Sequence, residues 1–274
     1  MEQSALPLVS PTWLREHFND PHLTILDVRW ALPDGADRNG YLTAHLPGAR
    51  FVDLDQTLAG PPGTQGRHPL PSIELFTRAM QQAGVSQVGR VVAYDGGSGA
   101  AARAWWLLRA AGHPWPTVLD GGIASWLASG GPVESGEVVA EPGDFVASSF
   151  KGWVSADETA GLLASGAVVV DARTRNRFDG APSLFDPRPG HIPGARSLPW
   201  TEAYRDGRVI LPEELVARSA DATGGGRLAA AYCGSGVTAC SLILALESAG
   251  IHGVLLYPGS WSEWALDPER PAEL

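Results

Sequence analysis

The sequence predicts an α/β protein built from two tandem, similar domains, each a mainly parallel sheet covered by helices on both faces. Three observations predict it. The chain has 274 residues, which at roughly 150 residues per domain accommodates two cores. Four short blocks recur in the same order in its two halves. Short apolar runs alternate with longer Ala- and Leu-rich segments, which is the pattern of βα units.

The recurring blocks begin with Leu26-Asp27-Val28-Arg29, which returns as Val170-Asp171-Ala172-Arg173. His45-Leu46-Pro47-Gly48-Ala49 returns as His191-Ile192-Pro193-Gly194-Ala195, and Val92-Ala93-Tyr94-Asp95-Gly96 as Ala230-Ala231-Tyr232-Cys233-Gly234. Leu119-Asp120-Gly121 with Trp126 returns as Leu256-Tyr257-Pro258-Gly259-Ser260 with Trp264. A solenoid repeats at a much shorter period, so this is a duplicated domain. In the first half the runs at 23–28, 90–94 and 117–120 read as buried strands, and 72–83 and 99–111 as helices. In the second half 167–171, 227–232 and 253–257 read as strands and 236–249 as a helix. A Gly- and Pro-rich stretch at 129–143 separates the halves. The expected domains are residues 1–135 and 153–274, joined by a linker at 136–152.

The bulk chemistry narrows the function classes. A net charge of −10 disfavours phosphate backbones and anionic lipid surfaces, and no local basic patch offsets it. Neither nucleic acid nor membrane is expected as a partner. Met1-Glu2-Gln3-Ser4 does not open a basic-then-apolar leader, and no apolar run approaches the roughly 18 residues that cross a bilayer, so the expected location is cytoplasmic. The two cysteines, Cys233 and Cys240, are too few for a disulfide scaffold and lack metal-ligand spacing. No metal and no cofactor is expected; the choice left is a catalytic thiol or a buried filler.

Tyr232-Cys233-Gly234-Ser235-Gly236-Val237-Thr238-Ala239 follows an expected strand and opens an expected helix. Ligand sites in open parallel sheets form beyond the carboxyl ends of the strands, where a helix N-terminus offers unpaired N–H groups and partial positive charge. Such a setting favours the thiolate, and the two glycines let the backbone curl so that several N–H groups converge on the sulfur. The same cradle suits a persulfide anion. Cys240, seven residues on and about two turns into the helix, reads as core rather than as a resolving thiol.

At this point the sequence resembles the rhodanese and 3-mercaptopyruvate sulfurtransferase superfamily over nearly its whole length. The resemblance rests on Cys233-Gly234-Ser235-Gly236-Val237-Thr238, which looks like the mercaptopyruvate-type active loop, on the paired His-x-Pro-Gly-Ala boxes, and on Ser260-Trp261-Ser262-Glu263-Trp264. It implies that Cys233 carries a sulfane sulfur as a persulfide, passed from a small-molecule donor to a thiol, cyanide or a thioredoxin-like acceptor. The backbone of Gly234, Gly236, Val237 and Thr238 would form the active loop. Asp95 stands where the first half would need the cysteine, and a carboxylate cannot accept sulfur, so the first domain is expected to be silent.

The resemblance also implies that Arg177, in Asn176-Arg177-Phe178, and Arg188, in Asp186-Pro187-Arg188, bind the donor's carboxylate. The second correspondence crosses about two extra residues around Ser183-Leu184-Phe185. Ser235 is implied as a hydrogen-bond donor or proton relay to the leaving enolate, with loop shaping as its alternative. His45, with Asp37 upstream, matches a family arrangement in which a first-domain histidine contributes to the site; the alternative is a turn residue like His191. Asp171, Arg173, Trp261 and Trp264 read as structural.

Three other functions compete. A Cys-x5-Arg phosphatase needs an arginine at 239, where this chain has alanine. A binding-only module has no need of the retained cysteine and its glycine pattern. Thiosulfate:cyanide sulfurtransferases have a loop resembling Cys-Arg-Lys-Gly-Val-Thr, whose cations meet a dianion; the neutral Gly234-Ser235 pair points to mercaptopyruvate.

Overall fold

A computed structural model describes residues 7–274; the Met1–Ser4 stretch read for targeting lies outside them. The chain forms two compact units. The first comprises residues up to Ala59 with Pro71–Lys151 and Asp206–Arg208, and the second comprises Gly60–Leu70, Gly152–Arg205 and Val209–Leu274. The segment at 136–151 packs on the first unit: the Val138 amide donates to the Tyr41 hydroxyl, the Gly143 amide to the Gln81 carbonyl, and Phe145 meets Phe76 edge-on.

In the first unit, five parallel strands run in the order Leu8–Val9, Pro116–Leu119, Arg90–Tyr94, Leu23–Asp27, Arg50–Phe51. The second repeats this as Leu255–Leu256, Leu228–Tyr232, Val168–Asp171, Arg196–Ser197, again all parallel. A parallel bridge from Trp153 to Leu256 stands where the first unit has its outermost strand. Registers coincide as well: Asp27 lies opposite Tyr94, and Asp171 opposite Tyr232.

Strands buried on both faces require apolar residues at successive positions, and these strands supply them. In the second unit Val169, Ala230 and Tyr232 pack on one face against Trp261 and Trp264, while Val170 and Ala231, pointing the other way, are equally buried. Leu23, Ile25, Val92 and Tyr94 pack with Trp126 in the same manner in the first unit. The two-residue edge strands were not legible in the sequence, being too short to show a period. In the second unit the helix Pro212–Thr223 lies between the strands Arg196–Ser197 and Leu228–Tyr232, bounded by proline at its first turn and by Gly224, left-handed at φ 61°.

The repeated boxes have one structural job in both units. Arg29 pairs bidentately with Asp27 and donates to the Ala44 carbonyl; Arg173 does the same with Asp171 and the Gly190 carbonyl. The Tyr94 hydroxyl donates to Asp27 and accepts from the Leu46 amide, and Tyr232 accepts from Ile192. Asp171 and Arg173 are thus partners of each other, fixing the strand end to the following box.

Candidate active site

Strand Val168–Asp171 is followed in the chain by Arg196–Ser197 on one side of it, and then by Leu228–Tyr232 on the other. In open parallel sheets a reversal of this kind marks the place, beyond the carboxyl ends of the two central strands, where ligand sites form. Cys233 is the first residue after Leu228–Tyr232, at that end of the sheet, and is 1% exposed. The helix Thr238–Ser248 begins five residues later, so its first-turn amides face the same space.

The loop is clamped from the turn at 258–262. Ser260 Oγ accepts from the Cys233 amide at 3.1 Å and donates to the Tyr257 carbonyl at 2.9 Å. The amides of Trp261 and Ser262 donate to the carbonyls of Cys233 and Gly234, at 3.0 and 2.8 Å. Gly236, at φ 77°, brings its N–H to 3.1 Å from Cys233 Sγ. A β-carbon there would stand 2.3 Å from the Pro258 carbonyl oxygen, so only glycine fits. An anion on the sulfur is thereby met by a fixed backbone donor.

The first unit holds a counterpart of that interaction. Asp95, in the place of Cys233, folds its carboxylate into its own loop, accepting from the Gly97 amide at 2.8 Å and the Ala101 amide at 3.0 Å. In both copies backbone N–H groups of the strand–loop–helix corner point at the side chain in this position. In the first that side chain is the carboxyl of Asp95, which offers no nucleophilic sulfur.

Around Cys233 the structure gathers residues from distant parts of the sequence. Ser235 Oγ is 2.8 Å from Nδ1 of His68, both buried. Arg177, on the short helix Arg175–Phe178, and Arg67 both approach Gly234: a β-carbon built there would lie 3.1 Å from a terminal nitrogen of Arg67 and 3.9 Å from one of Arg177. The Nε atoms of both arginines are buried and unpartnered. Arg67 is seated by its amide on Ser262 Oγ at 3.0 Å. Asp186 pairs with Arg67 at 2.8 Å and with Arg177. Among the described residues, no group of three His, Cys, Asp or Glu side chains is placed to hold a metal, and no helix is long and apolar enough to cross a membrane.

Arg188, His45, Asp37 and Cys240 have other surroundings. Arg188 donates to the carbonyls of Arg270 and Asp267 at 2.6 and 3.2 Å, and its guanidinium lies 5.9 Å from the Trp261 ring centre. These contacts tie it to the C-terminal segment, its Nε is buried and unpartnered like those of Arg67 and Arg177, and the second guanidinium that approaches Gly234 is that of Arg67. His45 is fully buried, stacked on Tyr41, with Nδ1 on the Tyr41 carbonyl and Nε2 3.3 Å from Glu134. His191 repeats this with Phe178 and Glu273. Each closes an antiparallel bridge, His45 to Glu134 and His191 to Glu273. Asp37 caps the helix Arg38–Thr43, accepting from the Gly40 amide at 2.8 Å. The first-half histidine that meets the sulfur loop is His68. Cys240 is buried in the first turn of its helix, closer to the loop than two turns, with Sγ donating to the Gly236 carbonyl at 3.3 Å.

A family model described as the rhodanese-like domain matches twice, over residues 10–129 and 155–267. The chain belongs to the rhodanese-like domain family. Among rhodanese-like relatives, it is 41% identical over 98% of both chains to a probable 3-mercaptopyruvate sulfurtransferase of Pseudomonas aeruginosa. It is 38% identical, over 92% of this chain and 90% of the other, to a putative thiosulfate sulfurtransferase of Mycobacterium tuberculosis. The rhodanese fold of the 3-mercaptopyruvate sulfotransferase SseA from Escherichia coli superposes with a TM-score of 0.83 at 36% identity, covering 94% of this chain and 100% of that one.

Proposed function

We propose that the protein is a sulfurtransferase that takes a sulfane sulfur from 3-mercaptopyruvate onto Cys233 and passes it to a thiol or cyanide acceptor. The observation that carries this reading is the juxtaposition at one strand end: a thiol sulfur held by the Gly236 amide, with two guanidiniums over the adjacent Gly234. A reacting sulfur and an anion-binding pair side by side fit a donor that bears a carboxylate next to its C–S bond.

The Cys233 thiolate attacks the donor sulfur while Arg67 and Arg177 hold the carboxylate through their unpartnered Nε–H groups. The S–C bond breaks, and its electron pair leaves on the enolate of pyruvate. That enolate takes up the proton of the transferred S–H, leaving a Cys233 persulfide anion and pyruvate. Ser235, hydrogen-bonded to His68, relays that proton. An acceptor thiolate or cyanide then attacks the outer sulfur and restores the Cys233 thiolate. A thioredoxin-like dithiol satisfies the same chemistry.

Incubation with mercaptopyruvate and no acceptor is expected to add one sulfur, about 32 Da, to Cys233 and none to Cys240, as read by peptide mass mapping. Sulfur found chiefly on Cys240, or pyruvate release undiminished in Cys233→Ser, would overturn the assignment. Thiosulfate is the second reading for the donor, because the neutral loop is flanked by two arginines brought from elsewhere. Comparing kcat/KM for the two donors on one preparation decides between them.

A further inference from the structure

Asp186 lies between the two guanidiniums that approach Gly234, and its carboxylate is 3% exposed. Its Oδ1 lies 2.8 Å from Arg67, its Oδ2 is bonded to Arg177, and a terminal nitrogen of Arg173 stands 3.7 Å from Oδ2. Arg173 is already matched by its bidentate partner Asp171. The charges beside the sulfur loop therefore sum to two arginines less one carboxylate. Asp186 engages only terminal nitrogens, so both Nε–H groups stay unpartnered. The loop is anchored from the Arg67 side as well, where the guanidinium donates to the Phe185 carbonyl and lies 5.8 Å from the Phe185 ring centre.

We propose that Asp186 is a donor-selecting residue: it removes one unit of positive charge from the Arg67–Arg177 pair, so that the site takes a monoanionic carboxylate donor in preference to a dianionic one. A single charge retained in a partly desolvated pocket attracts a monoanion without penalty. A dianion would carry an uncompensated charge against a buried carboxylate. Selection then comes from a repulsive element as well as from the attractive arginines. This account rests on the sulfurtransferase reading only for the identity of the donors, since the charge balance can be read without turnover.

The test uses the full chain and the alkylation of Cys233, mapped by peptide mass, with iodoacetate as a monoanionic probe and iodoacetamide as a neutral one. Asp186→Asn is expected to raise the iodoacetate-to-iodoacetamide rate ratio about tenfold, while Asp186→Glu keeps it within about twofold. A purely structural role would slow or speed both reagents together. In turnover, Asp186→Asn is expected to raise the quotient of thiosulfate to mercaptopyruvate kcat/KM by a similar factor. Wild-type protein supplies a measurement that no folding defect can obscure: pyruvate should protect Cys233 from iodoacetamide at lower concentration than sulfate does. An unchanged ratio in a folded Asp186→Asn variant, or better protection by sulfate in the wild type, overturns the proposal. A shifted ratio in a protein that transfers no sulfur would leave Asp186's role standing and sink the proposed function instead.

Discussion

At the level of single residues, the two arginines over Gly234 and the Ser235–His68 pair are predicted to separate binding from proton handling. Arg177→Ala is expected to lose on the order of 2–4 kcal/mol in kcat/KM for mercaptopyruvate, with thermal stability nearly unchanged. Arg177→Lys should recover only part, because an ammonium cannot form the planar fork. Wild-type kinetics in the alanine variant would return Arg177 to an ordinary ion pair. Arg188→Ala, by contrast, should lower the melting temperature and spare KM, since its partners are the Asp267 and Arg270 carbonyls. For His68→Gln the expected loss is about 100-fold in the rate of persulfide formation, with a changed pH profile and an unchanged KM. A pH profile identical to that of wild type would remove His68 from the chemistry.

Among the elements, the segment Gly60–Leu70 shows where sequence reasoning reaches and where it stops. The Cys233 loop was legible because strand, glycine pattern and helix N-terminus are consecutive, and Arg177 because it lies in a local motif. His68 and Ser235 are 167 residues apart, and Arg67 and Asp186 are 119 apart. No periodicity or spacing connects such positions, and His68, unlike His45, sits in no repeated box that marks it in the sequence. Arg188 lies three residues beyond Phe185, and its contacts run to the Asp267 and Arg270 carbonyls, whereas Asp186 is the side chain of that segment that pairs with Arg67 and Arg177. Gly66 sets the segment in place, for at φ 99° its added β-carbon would meet the Gly259 carbonyl oxygen at 2.7 Å. Gly66→Ala is therefore expected to displace Arg67 and His68 together and to slow single-turnover persulfide formation on the order of 100-fold, the cost of misplacing reactive groups by about 1 Å. Unaltered single-turnover rates with intact far-UV circular dichroism would show that the segment is not held by this contact.

For the molecule as a whole, the duplicated Asp–Arg–Tyr constellation carries a pH signature. Burial, reinforced by Asp27 and Asp171, pushes the Tyr94 and Tyr232 phenols well above the ordinary tyrosine value, and burial also raises Tyr41 and Tyr257. Below about pH 10 these phenols are protonated in both folded and unfolded chains. Above it the unfolded chain releases protons that the folded one retains, so stability is full below about pH 10 and falls as pH rises further. Urea midpoints between pH 8 and 11 should show the decline, and Tyr232→Phe should shallow it. A flat profile would mean that these phenols ionise as readily folded as unfolded.

The Asp95 carboxylate gives the first copy of the fold a different experimental meaning. In the proposed cycle the second copy gains and loses a sulfur, whereas the first keeps the Asp95 side chain in that place throughout. The protein thus contains its own reference channel. In hydrogen exchange with and without donor, the Gly97 and Ala101 amides should keep one rate throughout, while the amides around Gly236 should slow when sulfur is aboard. The ratio between the two corners then reports occupancy free of differences in pH, temperature or protein concentration, a calibration that an enzyme with a single copy would have to borrow from another molecule.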